Sequence, residues 1–76
     1  AIINANVSIG DNCIINSKAL IEHDCSISNN CHISTNAIIN GEVKIGPKCF
    51  IGSNVTIKDN TTIEENSFIK AGTLVK

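Results

Sequence analysis

Apolar residues recur at every sixth position along the whole chain, and isoleucine fills nearly all of these positions. The phase does not slip between one end and the other. The positions are Ile3, Ile9, Ile15, Ile21, Ile27, Ile33, Ile39, Ile45, Ile51, Ile57, Ile63 and Ile69, with Val75 continuing the series. An α-helix buries one face at a period of about 3.6 residues, so it does not fit. A period of six predicts short strands joined by tight turns.

A small or β-branched residue stands four positions after each isoleucine, for example Val7 or Cys13. Because side chains alternate along a strand, this residue and the next isoleucine point inward, and the residue between them points outward. One corner position in most units carries a residue that tolerates left-handed backbone geometry. These residues are Asn6, Asn12, Asn30, Asn36, Asn54, Asn60, Asn66 and Gly72.

This repeat resembles the hexapeptide-repeat left-handed β-helix. The resemblance implies an all-β fold, a left-handed parallel β-helix of about four triangular coils with three hexapeptides in each coil. Residues 18 positions apart then stack on one another. We expect residues 1–76 to form one β-helix domain. Because the chain opens inside the repeat, we interpret it as a fragment of a longer protein.

The outward residues sort into three vertical ladders under this register. The first ladder is Ile2, Leu20, Ile38, Thr56 and Leu74; the second is Ser8, Ser26, Lys44 and Thr62; the third is Ile14, His32, Phe50 and Phe68. Two outer faces are therefore apolar and one is polar. Exposed apolar patches usually mark an interface, so the asymmetry predicts a homotrimer in which each prism packs both apolar faces on its neighbours. The alternative is that a missing segment covers one of these faces.

Composition excludes several classes of function. Low aromatic content (3%) and a net charge of −1 argue against a nucleic-acid partner. No apolar run reaches membrane-spanning length, so no membrane association is expected. The four cysteines share the small inward position and form no CxxC pair, which favours reduced, buried thiols over a metal site. Reduced thiols predict a cytoplasmic protein.

Candidate chemistry centres on the two histidines. His23 lies in a corner otherwise occupied by small or polar residues, and its partner one coil later is Gly41, which leaves space and a bare N–H beside the imidazole. His32 interrupts an apolar ladder that any aliphatic residue could fill. Imidazole titrates near neutrality and suits general-base work when a carboxylate orients it, and Asp24, or less favourably Glu22, supplies one. The histidines lie on different sides of the coil, which favours a site shared between subunits.

The runs 21–25, 31–37 and 41–46 resemble the β-helix domain of bacterial sugar acetyltransferases, in particular the sialic acid O-acetyltransferase and nucleotide-aminosugar N-acetyltransferase group. The resemblance implies acetyl transfer from acetyl-CoA to a hydroxyl or amine of a sugar or nucleotide-sugar, with no metal. His23 would be the general base, Asp24 would orient it, and the Gly41 N–H would stabilise the oxyanion.

The same resemblance implies where the donor binds. His32 would lie near the thioester of acetyl-CoA. Small residues would line the groove for the pantetheine arm between neighbouring prisms, and lysines could meet the phosphates. The small residues are Gly52, Ser53, Ala71 and Gly72, and the lysines are Lys70 and Lys76. Members of this group carry an N-terminal α/β domain. Nothing in residues 1–76 resembles that domain, as we expect of a fragment.

Other functions of a β-helix remain open at this point. A gamma-class carbonic anhydrase needs three histidines around zinc, and the chain has two. A non-enzymatic scaffold, such as an isolated trimerisation module, stays open mainly because we interpret the chain as a fragment. An ice-binding helix would need an outward threonine ladder, whereas Thr56 and Thr62 fall on different faces. Among transferases, serine acetyltransferase is the nearest alternative, because it also places a histidine and an aspartate in a β-helix.

Overall fold

The computed structural model describes residues 1–76 and contains thirteen strands of two residues each, with no helix. The strands are β1 (Ile2–Ile3), β2 (Ser8–Ile9), β3 (Ile14–Ile15), β4 (Leu20–Ile21), β5 (Ser26–Ile27), β6 (His32–Ile33), β7 (Ile38–Ile39), β8 (Lys44–Ile45), β9 (Phe50–Ile51), β10 (Thr56–Ile57), β11 (Thr62–Ile63), β12 (Phe68–Ile69) and β13 (Leu74–Val75). A turn follows every strand except the last. The chain thus has no helix of the length and hydropathy that a bilayer span requires.

Every third strand belongs to the same parallel sheet. The first face is β1-β4-β7-β10-β13, the second is β2-β5-β8-β11 and the third is β3-β6-β9-β12. Leu20 pairs with Ile38 and His32 pairs with Phe50, in each case 18 residues apart. This is the left-handed parallel β-helix of about four coils that the sequence predicts, and the three outer ladders are confirmed residue by residue.

The core is the interior of the prism. The isoleucine and the small residue of each unit in the middle coils are buried, as Ile21, Ala37 and Val43 show with no exposed surface. Burying an aliphatic side chain of this size stabilises a fold by roughly 1.5–3 kcal/mol. The end coils are less protected, and Ile3 is 48% exposed. Inter-coil burial therefore holds the prism together.

The corners are built on one left-handed residue per turn. Every residue at the position predicted for Asn or Gly has positive φ, between 57° and 62° for the non-glycines and 78° for Gly72. Side-chain amides can also stack there, since Asn36 Nδ2 donates to Asn54 Oδ1 at 2.6 Å. Four charged residues share this backbone geometry, which costs them more than it costs Asn or Gly. They are Lys18, Asp24, Glu42 and Lys48.

The cysteines are free thiols, three buried and Cys13 half-buried. The thiols of Cys25 and Cys31 donate to backbone carbonyls of the next coil, at 3.0 Å to Asn40 and 3.1 Å to Gly46. Burial raises the pKa of both thiols above the ordinary value, which disfavours the reactive thiolate. Their role as small inward residues is confirmed.

The three corners differ in the residues that they present. The His23 corner, between the first and second faces, comprises residues 4–6, 22–24, 40–42 and 58–60. The Gly72 corner, between the third and first faces, comprises residues 16–18, 34–36, 52–54 and 70–72. The remaining corner joins the second and third faces. In a triangular cross-section the His23 corner is opposite the third face.

Candidate functional site

The His23 corner carries a histidine–aspartate pair. His23 and Asp24 are consecutive residues in the turn between β4 and β5, and Nδ1 of His23 lies 3.0 Å from Oδ2 of Asp24. A carboxylate can only accept, so Nδ1 carries the proton and Nε2 keeps a free lone pair. The two side chains are 60% and 50% exposed, so the lone pair is accessible. The expected contact between the imidazole of His23 and the carboxylate of Asp24 is present in the structure.

Gly41 lies against the imidazole of His23 from the next coil. The Glu42 N–H donates to the His23 carbonyl at 3.0 Å and so ties the two corners together. A Cβ on Gly41 would come within 2.7 Å of His23 Nε2, so the position of the ring depends on glycine here. The Gly41 N–H donates to no protein acceptor. A free N–H is common to this corner position, whereas the adjacent imidazole occurs only here.

An open depression of about 250 Å³ borders Nε2 and has no apolar residue in its lining. It is lined by Glu22, His23, Asn40, Gly41, Glu42, Asp59 and Asn60. A neighbouring depression continues onto the second face, lined by Asp24, Glu42, Lys44, Asn60 and Thr62. Carboxylates therefore dominate the surface around the histidine.

These carboxylates act on the titration of His23. The hydrogen bond to Asp24 raises the pKa of His23 above its ordinary value of 6.5. The negative charge of Asp24 raises this pKa further, and the charges of Glu42 and Glu22 add smaller increases. Desolvation of the ring lowers this pKa by more than any single one of these charges raises it, but by less than the hydrogen bond does, and the net shift is upward. His23 therefore stays protonated to a higher pH than an isolated histidine does.

His32 is on the third face, on the opposite side of the prism from His23. The Asn16 amide nitrogen lies 3.1 Å from His32 Nε2 and can only donate, so Nε2 accepts and Nδ1 carries the proton. The ring packs against Phe50 with centroids 5.1 Å apart, and Phe50 stacks on Phe68 at 5.0 Å. The prediction that the two histidines do not meet within one chain is confirmed.

The four small residues expected near the donor all lie at the Gly72 corner. Gly52 is buried, and a Cβ there would come within 2.5 Å of the Ala71 backbone nitrogen. Gly72 has positive φ, and its N–H donates to the Ser53 carbonyl at 2.9 Å. Close stacking of the coils therefore explains Gly52, and the left-handed corner explains Gly72. This corner is separated from His23 by the whole width of the first face.

Sequence reasoning missed part of the lining. Asn40, Glu42, Asp59 and Asn60 border the depression, whereas the residues expected beside His23 were Gly41 and the carboxylate of Asp24 or Glu22. The 18-residue register contains the signal, because Asp59 follows Gly41 in the same corner column and Asn60 follows Glu42. Asn16, which orients His32, was also missed. No group of three His, Cys, Asp or Glu side chains is placed so as to hold a metal ion.

Two known families of repeats match the chain. The bacterial transferase hexapeptide family (six repeats) matches residues 24–59 and 42–76, and the hexapeptide repeat of succinyl-transferase matches residues 6–40. The chain belongs to the bacterial transferase hexapeptide family. Its repeats indicate a β-helix of the acyltransferase type. No curated protein and no solved structure matches it.

Proposed function

We propose that this β-helix is a domain of an acetyltransferase that moves an acetyl group from acetyl-CoA to a hydroxyl or amine of a sugar. The observation that carries the proposal is the imidazole of His23, bound through Nδ1 to Asp24 and held with Nε2 against Gly41. Membership of the hexapeptide transferase family supports the reaction class. The corner offers an oriented base, an unused backbone donor and an open polar space beside both.

The chemistry follows from these three parts. His23 Nε2 takes a proton from the acceptor, and the acceptor oxygen or nitrogen forms a bond to the thioester carbonyl carbon. The carbonyl oxygen becomes an oxyanion, which the Gly41 N–H is suited to stabilise. Collapse of the intermediate breaks the carbon–sulfur bond, and the leaving CoA thiolate takes the proton back from His23. Asp24 is a positioning residue, because it fixes the tautomer and stabilises the imidazolium.

The outer ladders favour completion of this site by a second copy. Ile38 and Phe50 lie on the two apolar faces, which meet at the Gly72 corner. Packing both faces around a threefold axis puts the first face of one copy against the third face of the next. His23 is at the outer edge of the first face, so it would then approach the His32 ladder of a neighbour. We therefore propose a homotrimer with a site at each of its grooves.

The donor would lie along the same groove. The Gly72 corner stands at its inner end and the His23 corner at its outer end. We propose that Gly52, Ser53, Ala71 and Gly72 border the path of the pantetheine arm, and that Lys70 or Lys76 meets the phosphates. His32 would lie beside the thioester, since its Nδ1–H is not used by any protein acceptor.

Titration calorimetry with acetyl-CoA tests the donor site, and release of free CoA thiol tests transfer. We expect saturable binding that His32→Ala weakens, and transfer that His23→Ala lowers by about 10²–10⁴-fold, the usual contribution of a general base. Ser26→Ala on the polar second face is the control for both. A folded chain that binds no acetyl-CoA would contradict the proposal and support a trimerisation scaffold.

A further inference from the structure

The charged side chains closest to His23 are carboxylates. Within the depression, Glu22, Glu42 and Asp59 contribute carboxylates, and no lysine lines it. Asp24 adds a fourth carboxylate at the ring itself. Two lysines lie outside it, since Lys44 lines the adjoining depression on the second face and Lys58 precedes Asp59 in the same corner. The charged side chains that line the depression itself, apart from His23, are therefore all carboxylates.

No ion pair neutralises these carboxylates. The contact between His23 and Asp24 is the only pairing of opposite charges within 4.0 Å in the chain. Glu22 accepts a hydrogen bond from Asn4 at 2.8 Å and Asp59 accepts one from Asn60 at 3.3 Å, and neither bond cancels charge. The lysines of the chain are thus too far away to remove the negative field by contact.

Glu42 is the carboxylate best placed to bind a ligand. It lines both depressions and accepts no side-chain hydrogen bond. Its backbone N–H donates to the His23 carbonyl at 3.0 Å, which keeps it beside the base. Its charge contributes to the raised pKa of His23, so it is within electrostatic reach of the ring. A cation bound by Glu42 would lie in a depression that His23 also lines.

We infer that the acceptor is a cationic amino sugar, one that carries a free ammonium group and no carboxylate or phosphate. A hydroxyl of the sugar takes the acetyl group, because an ammonium has no lone pair with which to attack the thioester. The inference rests on the proposed function, whose base and oxyanion donor it keeps. Fixed like charges repel an anionic ligand, whereas an ammonium gains a hydrogen-bonded ionic contact with Glu42 or Asp59. The lining has no apolar residue, which suits a hydroxylated molecule. An acidic sugar such as sialic acid, or a nucleotide-linked sugar, carries the wrong charge.

Transfer to three sugars of different charge tests this inference. The acceptors are glucosamine as the cation, N-acetylglucosamine as the neutral sugar and N-acetylneuraminic acid as the anion, compared by kcat/KM at constant ionic strength. We expect glucosamine to exceed the anion by about tenfold or more, with a difference that shrinks as salt rises. Glu42→Gln and Asp59→Asn should each lower the ratio of kcat/KM for glucosamine to kcat/KM for N-acetylglucosamine by about threefold, a typical effect of an exposed charge pair. The ratio cancels any effect of these substitutions on the base itself.

Asp11→Asn is the matched control, because it removes the same charge at the corner between the second and third faces. Equal or better transfer to N-acetylneuraminic acid, or an effect of Asp11→Asn equal to that of Glu42→Gln, would overturn the inference while leaving the acetyltransferase proposal standing.

A binding measurement separates failure of the inference from failure of the proposed function. Amide chemical shifts of Gly41, Glu42 and Asn60 are followed by NMR during titration with glucosamine hydrochloride and, separately, sodium N-acetylneuraminate. Saturable shifts with glucosamine alone, weakened by Glu42→Gln, support the inference even if no acetyl group is transferred, in which case only the reaction is wrong. No shift with glucosamine, or equal shifts with both sugars, contradicts it.

Discussion

The imidazole of His23 occupies the space that a side chain at Gly41 would need, since a Cβ on Gly41 would lie 2.7 Å from Nε2. The two residues are 18 positions apart and share one corner column. Gly41 has no positive φ, and Ala5 fills the same column two coils earlier, so alanine is compatible with the backbone. The glycine is therefore explained by the ring beside it and not by the turn.

Gly41→Ala should displace the imidazole without unfolding the chain. We expect kcat/KM for acetyl transfer to fall by about 10–100-fold, because a misplacement of about 1 Å is enough for such a loss. The melting temperature should stay close to that of the wild type. Ala5→Gly is the control, since it alters the same column away from the depression. Unchanged kinetics with Gly41→Ala would show that the position of the ring does not matter.

The pH dependence of the site should follow the His23–Asp24 bond. The raised pKa means that His23 stays protonated to a higher pH than an isolated histidine, and a general base acts only when neutral. The acid limb of kcat/KM should thus lie above pH 6.5. Asp24→Asn should lower the pKa of His23 and move this limb to lower pH, besides reducing the rate.

The ring C–H resonances of His23, followed by NMR against pH in both proteins, give the two pKa values directly. The raised pKa of His23 also makes the stability of the folded state depend on pH. Because the folded pKa is raised, the pair favours the folded state fully below the unfolded pKa, and this contribution is lost as pH rises through the folded pKa. A pKa of His23 that is identical in the Asp24→Asn protein would contradict the role given to Asp24.

The repeat allowed the fold to be predicted almost completely, and the site only in part. Side-chain alternation and a period of six determine which residues are inside, so the position of Ile21 or Phe50 needed no coordinates. The link between Asn16 and His32 could not be predicted, because it depends on a side-chain rotamer. The exposure of Glu42 to two depressions depends on the shape of the corner. The left-handed backbone of Glu42 could not be predicted either, because glutamate is not typical of that position.

Lys18 offers a test of the corner geometry. It has φ 60°, whereas its column partners one and two coils later are Asn36 and Asn54, which bond to each other at 2.6 Å. Lys18→Asn should relieve the backbone and extend the amide stack. We expect a gain of about 0.5–1 kcal/mol in the free energy of unfolding, measured by denaturant titration.

Lys70→Asn is the matched control for this gain. Lys70 belongs to the same corner, but its φ is not positive, so the substitution removes the same charge without changing backbone strain. If both substitutions raise the free energy of unfolding equally, the gain comes from loss of the charge, and the explanation from the corner geometry is wrong.

Phe68 tests whether the apolar faces join copies of the chain. Its side chain is 71% exposed and stacks on Phe50, so replacing it costs the isolated prism little. Phe68→Lys puts a charge on the third face, and burying that charge between subunits would be unfavourable. We expect a trimer for the wild type and a shift towards monomers for Phe68→Lys, measured by sedimentation velocity over a range of concentrations.

Thr62→Lys makes the same change in charge on the polar second face and should leave the trimer intact. A wild-type monomer, or equal dissociation in both variants, would mean that these faces do not pair, and the site at His23 would then have to work without the His32 of a neighbour.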